Sequence, residues 1–218
     1  MITTIIIVLT ALISIRAFKD NELMGRLIFH PPVVEQGDWY RLFSYGVVHA
    51  DYTHLIFNMF TLYFFGVDIE RVFKAVFGQT TGTVLFIILY LSALLVSILP
   101  TYFKNRNNSS YYGLGASGAV SAVIFVYMLI NPMNYMGILF IPVMLPAFLF
   151  GIIFILISLS LEKKQAGGIN HTAHITGGLY GIIFSILIFF TFADINLINS
   201  FISQIRINSI SDLFYFGF

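Results

Sequence analysis

The chain has 218 residues, of which 10% are charged and 58% hydrophobic, with a mean hydropathy of +0.90, too little charge to clothe a water-facing globule of this size. A formal net charge of +1, with no cluster of basic side chains, offers no surface to nucleic acid. The absence of cysteine excludes disulfides, thiolate metal ligands and a cysteine nucleophile.

Three stretches, 75–103, 107–161 and 165–193, contain no Asp, Glu, Lys or Arg, and each exceeds the roughly 20 residues that span a bilayer core. An all-α integral membrane protein is the natural reading. Apolar runs bounded by charges and breakers predict six spans, near 2–18, 48–67, 81–100, 115–131, 137–160 and 172–193. The first run lacks a basic leader and a small-residue cleavage site, so it reads as a retained helix rather than a signal peptide. The longest connection, about 19–47, is polar and aromatic and carries Pro31-Pro32, Gly37 and Trp39. Asn131-Pro132-Met133-Asn134 divides the long uncharged run into a fourth and a fifth span, with Pro142 and Pro146 expected to bend the fifth. Residues 1–193 then form one membrane domain, followed by a tail, 194–218. In the tail Ile198, Phe201, Ile202 and Ile205 share a helical face, as in a helix lying in the membrane interface; a frayed end fits the same residues.

Ionisable groups at membrane depth are costly, on the order of 2 to 3 kcal/mol each, and mark where function should be sought. Three constellations meet that description: His49-Ala-Asp-Tyr-Thr-His54-Leu-Ile-Phe-Asn58, Gly113-Leu-Gly115-Ala-Ser117-Gly118, and His171-Thr-Ala-His174-Ile-Thr-Gly177-Gly178. They open the second, fourth and sixth spans, and in a serpentine bundle even-numbered spans start on the same side. The three motifs can therefore converge on one site.

Ser117 lies between glycines at a predicted helix start, where unpaired amides stabilise a developing oxyanion, so a nucleophile fits there. The alternative for Gly115, Ser117, Gly118 and Ser121 is close packing of helices. His174 is the best-placed base, and Gly177, Gly181 and Ser185 follow it at helical spacing, a flat stripe that brings the sixth helix against the fourth. A structural hydrogen bond is the alternative for His174. His54 and Asn58, four apart, share a face and suit two donors to one oxygen; polar contact between helices is the other reading. His49 lies off that face and is assigned a structural role. Asp51 and Glu162 sit at span margins, so a Ser-His dyad without a carboxylate is the simpler arrangement. Four histidines, His49, His54, His171 and His174, leave a metal-dependent membrane protein as a competing reading, although no His-Glu-x-x-His motif is present.

In order and spacing these motifs resemble those of the rhomboid proteases: Gly37-Asp-Trp39-Tyr-Arg41-Leu before the second span, His49 through Asn58 within it, Gly115-Ala-Ser117-Gly118 opening the fourth, and Ala173-His174-Ile-Thr-Gly177 opening the sixth. The resemblance implies a six-helix bundle with a partly membrane-embedded first loop, and an intramembrane serine endopeptidase. In it Ser117 attacks, His174 relays the proton, and His54, Asn58 and the Ser117 amide bind the oxyanion. Gly115, Gly118, Gly177, Gly181, His49, Trp39 and Arg41 would support the site. It implies single-span membrane proteins as substrates, neither metal nor cofactor, and a mobile gate and cap formed by the fifth helix and the loop from Glu162 to Asn170. A non-catalytic rhomboid-like protein that binds client helices is the alternative within the family. Two positions depart from the pattern: Ser121 stands where some relatives carry a tyrosine against the histidine, and Glu70-Arg71 is followed by no glycine until Gly78. The resemblance also implies a bacterial inner membrane with the site facing outward. That leaves only Arg71, Lys74 and Arg206 inside and eight of the eleven basic residues outside, against the positive-inside tendency.

Overall fold

The first apolar run forms α1 (Ile2–Ala17), whose buried residues are Thr3, Thr10, Ser14 and Ala17. Ile5, Val8, Leu9 and Leu12 are turned outward. At 3.6 residues per turn the four small residues make one stripe, so the helix gives its polar side to the bundle and its aliphatic side to the surroundings. Its first amides need acceptors outside the helix. Glu70 supplies them, taking the Ile2 and Thr3 N–H groups at 3.0 and 2.9 Å and the Thr3 hydroxyl at 2.7 Å, while pairing with Lys74.

The structure, a computed structural model, describes residues 1–137, 141–164 and 169–216. The long connection is organised into α2 (Asn21–Leu27), capped by Asp20, α3 (Pro31–Glu35), α4 (Arg41–Ser44) and a 3-10 turn, Tyr45–Val47. Arg41 is buried and gathers this segment: its guanidinium donates to the Gly25 and Ile28 carbonyls, both at 2.8 Å, and to Asp38 at 3.0 Å. Trp39 is 58% exposed on the outside of the same segment. The two members of the motif thus separate, Arg41 into the packing and Trp39 out of it.

The second run gives α5 (Tyr52–Thr61), a π-helical turn (Leu62–Gly66) and α6 (Val67–Phe77). Helical structure therefore continues well beyond the expected end at 67. The charges Asp68, Glu70, Arg71 and Lys74 suggested an exit from the apolar region, but Glu70 is held inside by the start of α1. α7 (Gln79–Asn105) likewise exceeds its expected bounds at both ends, carrying Pro100 inside its last turns. α8 (Ser117–Ile130) and α10 (His171–Ala193) open at the expected motifs.

The fifth run differs from its expectation of a bent helix from 137. Tyr135–Gly137 and Val143–Pro146 are antiparallel strands, β1 and β2, and the helix, α9, covers Ala147–Lys164. Pro142 and Pro146 account for the shift, because proline lacks the N–H a helix needs and biases the residue before it toward extended backbone. The tail is ordered as well. α11 (Leu197–Gln204) buries Leu197 and exposes Ile198 and Ile202, but it ends before Ile205. Strand β3 (Tyr215–Phe216) then pairs with β2.

α8 is buried on nearly all sides, which suits a helix that is apolar all round. It packs chiefly against α10 and α7. A Cβ on Gly177 would collide with the Gly118 carbonyl, and one on Gly181 with the Ala122 carbonyl, so the glycine stripe brings two backbones into direct contact. Each of the six expected spans contains a helix, and α7 and α10 are long and apolar enough to cross a membrane by themselves.

Candidate active site

Residues 113–116 carry the chain from a two-residue backbone pairing of Gly113 with Phe29 into α8. Gly115 has φ +103°, a left-handed conformation, and a Cβ there would sit 2.6 Å from Cε1 and 2.9 Å from Nε2 of His54. Only glycine meets both demands. The next residue, Ala116, occupies the N-cap of α8 and has no side-chain acceptor for the first amides. The N–H groups of Ser117, Gly118 and Ala119 therefore point out of an uncapped helix end, where an anion is favoured.

Ser117 is the first residue of α8, and its Oγ lies 2.7 Å from Nε2 of His174, in the first turn of α10. The start of α10 is fixed from α7: Asn170 accepts from the Ala173 amide at 3.0 Å and donates to Thr101 at 2.9 Å. Among the described residues no carboxylate hydrogen-bonds to His174. Asp51 caps α5 through the His54 amide at 2.7 Å, and Glu162 pairs with Lys104 and accepts from the Thr172 amide, each at 3.3 Å. Beside the His174 ring stand Phe154 of α9, with ring centres 6.2 Å apart and planes tilted by 30°, and His171, edge-on at 5.9 Å. Ser121, one turn after Ser117, is buried and takes no part in this contact.

Hydrogen bonding assigns the tautomer of His54. The Ala50 amide donates to Nδ1 of His54 at 3.5 Å, which leaves the proton on Nε2, the nitrogen beside Gly115. Asn58 is buried one turn on and spends one amide hydrogen on the His54 carbonyl at 2.9 Å, the other having no acceptor among the described residues. His49 is fully buried between Ser14, 3.0 Å from its Nδ1, and the Ala116 amide, 3.5 Å from its Nε2, with the His54 ring edge-on at 5.0 Å.

The three motifs therefore meet at one end of the bundle, and the glycines Gly115, Gly118, Gly177 and Gly181 all lie at close approaches around them. Among the described residues no group of three or more His, Asp or Glu side chains is placed to hold a metal. A cleft of about 410 Å³ opens beside the start of α10, lined by Thr101, Lys104, Tyr111, Glu162, Asn170 and His171. The expected cap, Glu162 to Asn170, borders it, and its residues 165–168 lie outside the described residues. Ser14 and Phe154 escaped the sequence reading. The signal for Ser14 was available, since Thr3, Thr10, Ser14 and Ala17 form one small-residue face in an otherwise aliphatic helix.

A family model described as Rhomboid domain matches residues 36–208. The chain is 29% identical over 176 residues to RHOMBOID-like protein 12, mitochondrial, of Arabidopsis thaliana, covering 77% of this chain and 52% of that protein. It is 29% identical over 164 residues to Rhomboid protease AarA of Providencia stuartii, covering 69% and 56%. Against Rhomboid protease GlpG of Haemophilus influenzae the identity is 29% over 192 residues, covering 86% and 88%. The chain thus spans about half the length of several curated relatives it matches and most of the length of GlpG.

Proposed function

The chain belongs to the rhomboid family of integral membrane proteins, and from that premise we propose that it is an intramembrane serine endopeptidase that hydrolyses peptide bonds in or near the membrane helices of single-span proteins. The observation that carries the reading is the 2.7 Å approach of His174 Nε2 to the Ser117 hydroxyl at an uncapped helix start. A six-span bundle, with the α2–α4 segment partly embedded in the outer leaflet and its Trp39 at the interface, completes the arrangement.

The chemistry follows from those positions. Nε2 of neutral His174 accepts the Ser117 proton as Oγ bonds to the scissile carbonyl carbon, and the carbonyl oxygen becomes an oxyanion. The Ser117 amide, the Nε2–H of His54 and the free Asn58 hydrogen are the donors that meet it. The protonated imidazole then gives its proton to the leaving amine as the C–N bond breaks, which leaves an acyl group on Ser117. Water entering from the cleft beside His171 attacks the ester with His174 again as base, releasing the acid and restoring the hydroxyl. No step calls for a metal or cofactor.

The test is cleavage of a helix-weakened single-span substrate by purified protein in liposomes. Activity is expected to survive a strong chelator and to vanish in Ser117→Ala. Loss on chelation with the Ser117→Ala protein still active would contradict the reading, and wild-type inertness across varied substrates would favour a non-catalytic client-binding role.

A further inference from the structure

Ser14, in the last turns of α1, has one hydroxyl proton and two neighbours able to bond it. The Val47 carbonyl lies at 2.9 Å and Nδ1 of His49 at 3.0 Å. A carbonyl oxygen only accepts, so the Ser14 proton goes to Val47. The bond to His49 must then run the other way, with Nδ1–H donating to the serine oxygen. His49 is thereby fixed as the Nδ1–H tautomer, and its Nε2 carries a lone pair. That lone pair faces the amide of Ala116, the residue before Ser117, at 3.5 Å. All three contacts are satisfied by one proton arrangement, and His49 is fully buried with no solvent to substitute for any of them.

We propose that Ser14 is a positioning residue for the reaction: by setting the tautomer of His49 it anchors the turn that presents Ser117 and its amide. The proposal rests on the reading of Ser117 as nucleophile. The mechanism is a chain from one helix to another. Without the Ser14 acceptor, His49 is free to carry its proton on Nε2, where it would oppose the Ala116 N–H, donor against donor, and displace the turn. The neighbouring His54 ring, edge-on to His49, would move with it. Ser14 and His49 are both fully buried, out of reach of a substrate chain, so the effect falls on turnover rather than on binding.

The experiment compares wild type with Ser14→Thr and Ser14→Val, side chains of nearly equal size of which only threonine keeps the hydroxyl. Three quantities are read: kcat and KM for cleavage in liposomes, the rate of Ser117 labelling by a fluorophosphonate, and the imidazole ¹⁵N signature of His49 in protein labelled at histidine. Ser14→Thr is expected to stay within about twofold of wild type. Ser14→Val should lower kcat and the labelling rate by about tenfold or more at unchanged KM, and lose the Nδ1–H signature. A wild-type His49 protonated on Nε2 would overturn the proposal even if Ser14→Val failed to fold, as would a folded Ser14→Val protein with wild-type kcat. Wild-type protein that neither cleaves nor labels would instead overturn the reading of Ser117, leaving the ¹⁵N signature to decide the relay alone.

Discussion

A hydroxyl becomes a nucleophile when its proton has an acceptor and its developing charge has donors, and in the proposed mechanism a different element supplies each. If Ser117 and His174 act as one unit, as proposed, His174→Ala should be as damaging as Ser117→Ala, each reducing turnover to background in a liposome cleavage assay. Asn58→Ala leaves the unit intact and removes one donor, so turnover should fall by about 10- to 1,000-fold with KM little changed. A Gly115→Ala protein should lose activity while remaining folded, since the methyl group both strains a left-handed residue and drives against the His54 ring; near-wild-type turnover would contradict that placement. The Ser117, His174, His54 and Asn58 positions were legible in the sequence because each sits in a short motif whose spacing carries its meaning. Phe154 was not, because it sits in an unbroken apolar run with nothing to mark it, and Ser14 was marked only as part of a small-residue face, its bond to His49 appearing with the fold.

Helices and their ends explain why the site has this form. α8 starts without a side-chain cap, which on the proposed reading keeps its first amides for a substrate oxygen, and the turn before it is held by backbone and histidine contacts. α10 reaches α8 through Gly177 and Gly181, so Gly181→Leu should force the two helices apart at a cost of roughly 2 kcal/mol, read as a lower unfolding midpoint in detergent together with lost activity. That each apolar run carries a helix, in this order, was legible, since charge-free length and breakers locate the runs. The base of α9 was not: an apolar stretch with two prolines reads as a bent helix, whereas it forms a hairpin strand that accepts the C-terminal strand as a third. Pairing of β2 with a segment some 70 residues later leaves no periodic trace in either. The length of α6 was also missed, because Glu70 looks like a surface charge until the start of α1 is seen to consume it.

Over the whole molecule the outward faces of α1, α7, α9 and α10 carry exposed aliphatic and aromatic side chains such as Leu12, Leu91, Leu156 and Leu187, an exterior suited to lipid. The polar groups are kept to the two ends and the interior. At the end opposite the dyad, Glu70 ties α1 to α6; Glu70→Ala would strand Lys74 and two amides, and should cost roughly 3 kcal/mol, seen as a lowered unfolding midpoint. The proposed orientation sets family topology against the distribution of basic residues. Arg41 bears on that conflict, since its charge is spent on carbonyls within the folded first segment rather than presented to a lipid surface. The chain has no cysteine, so single thiols report cleanly: Asn108→Cys should react with an impermeant maleimide on intact cells and Gln79→Cys only after permeabilisation, the reverse pattern inverting the topology. The central claim is that the Ser117 hydroxyl is activated by His174 at the end of this bundle. Mapping the adduct of a fluorophosphonate on wild-type, His174→Ala and Ser117→Ala proteins in liposomes tests it most directly. A single modified residue, Ser117, whose labelling collapses in both variants is the predicted result, and an unmodified Ser117, or labelling undiminished without His174, would contradict it.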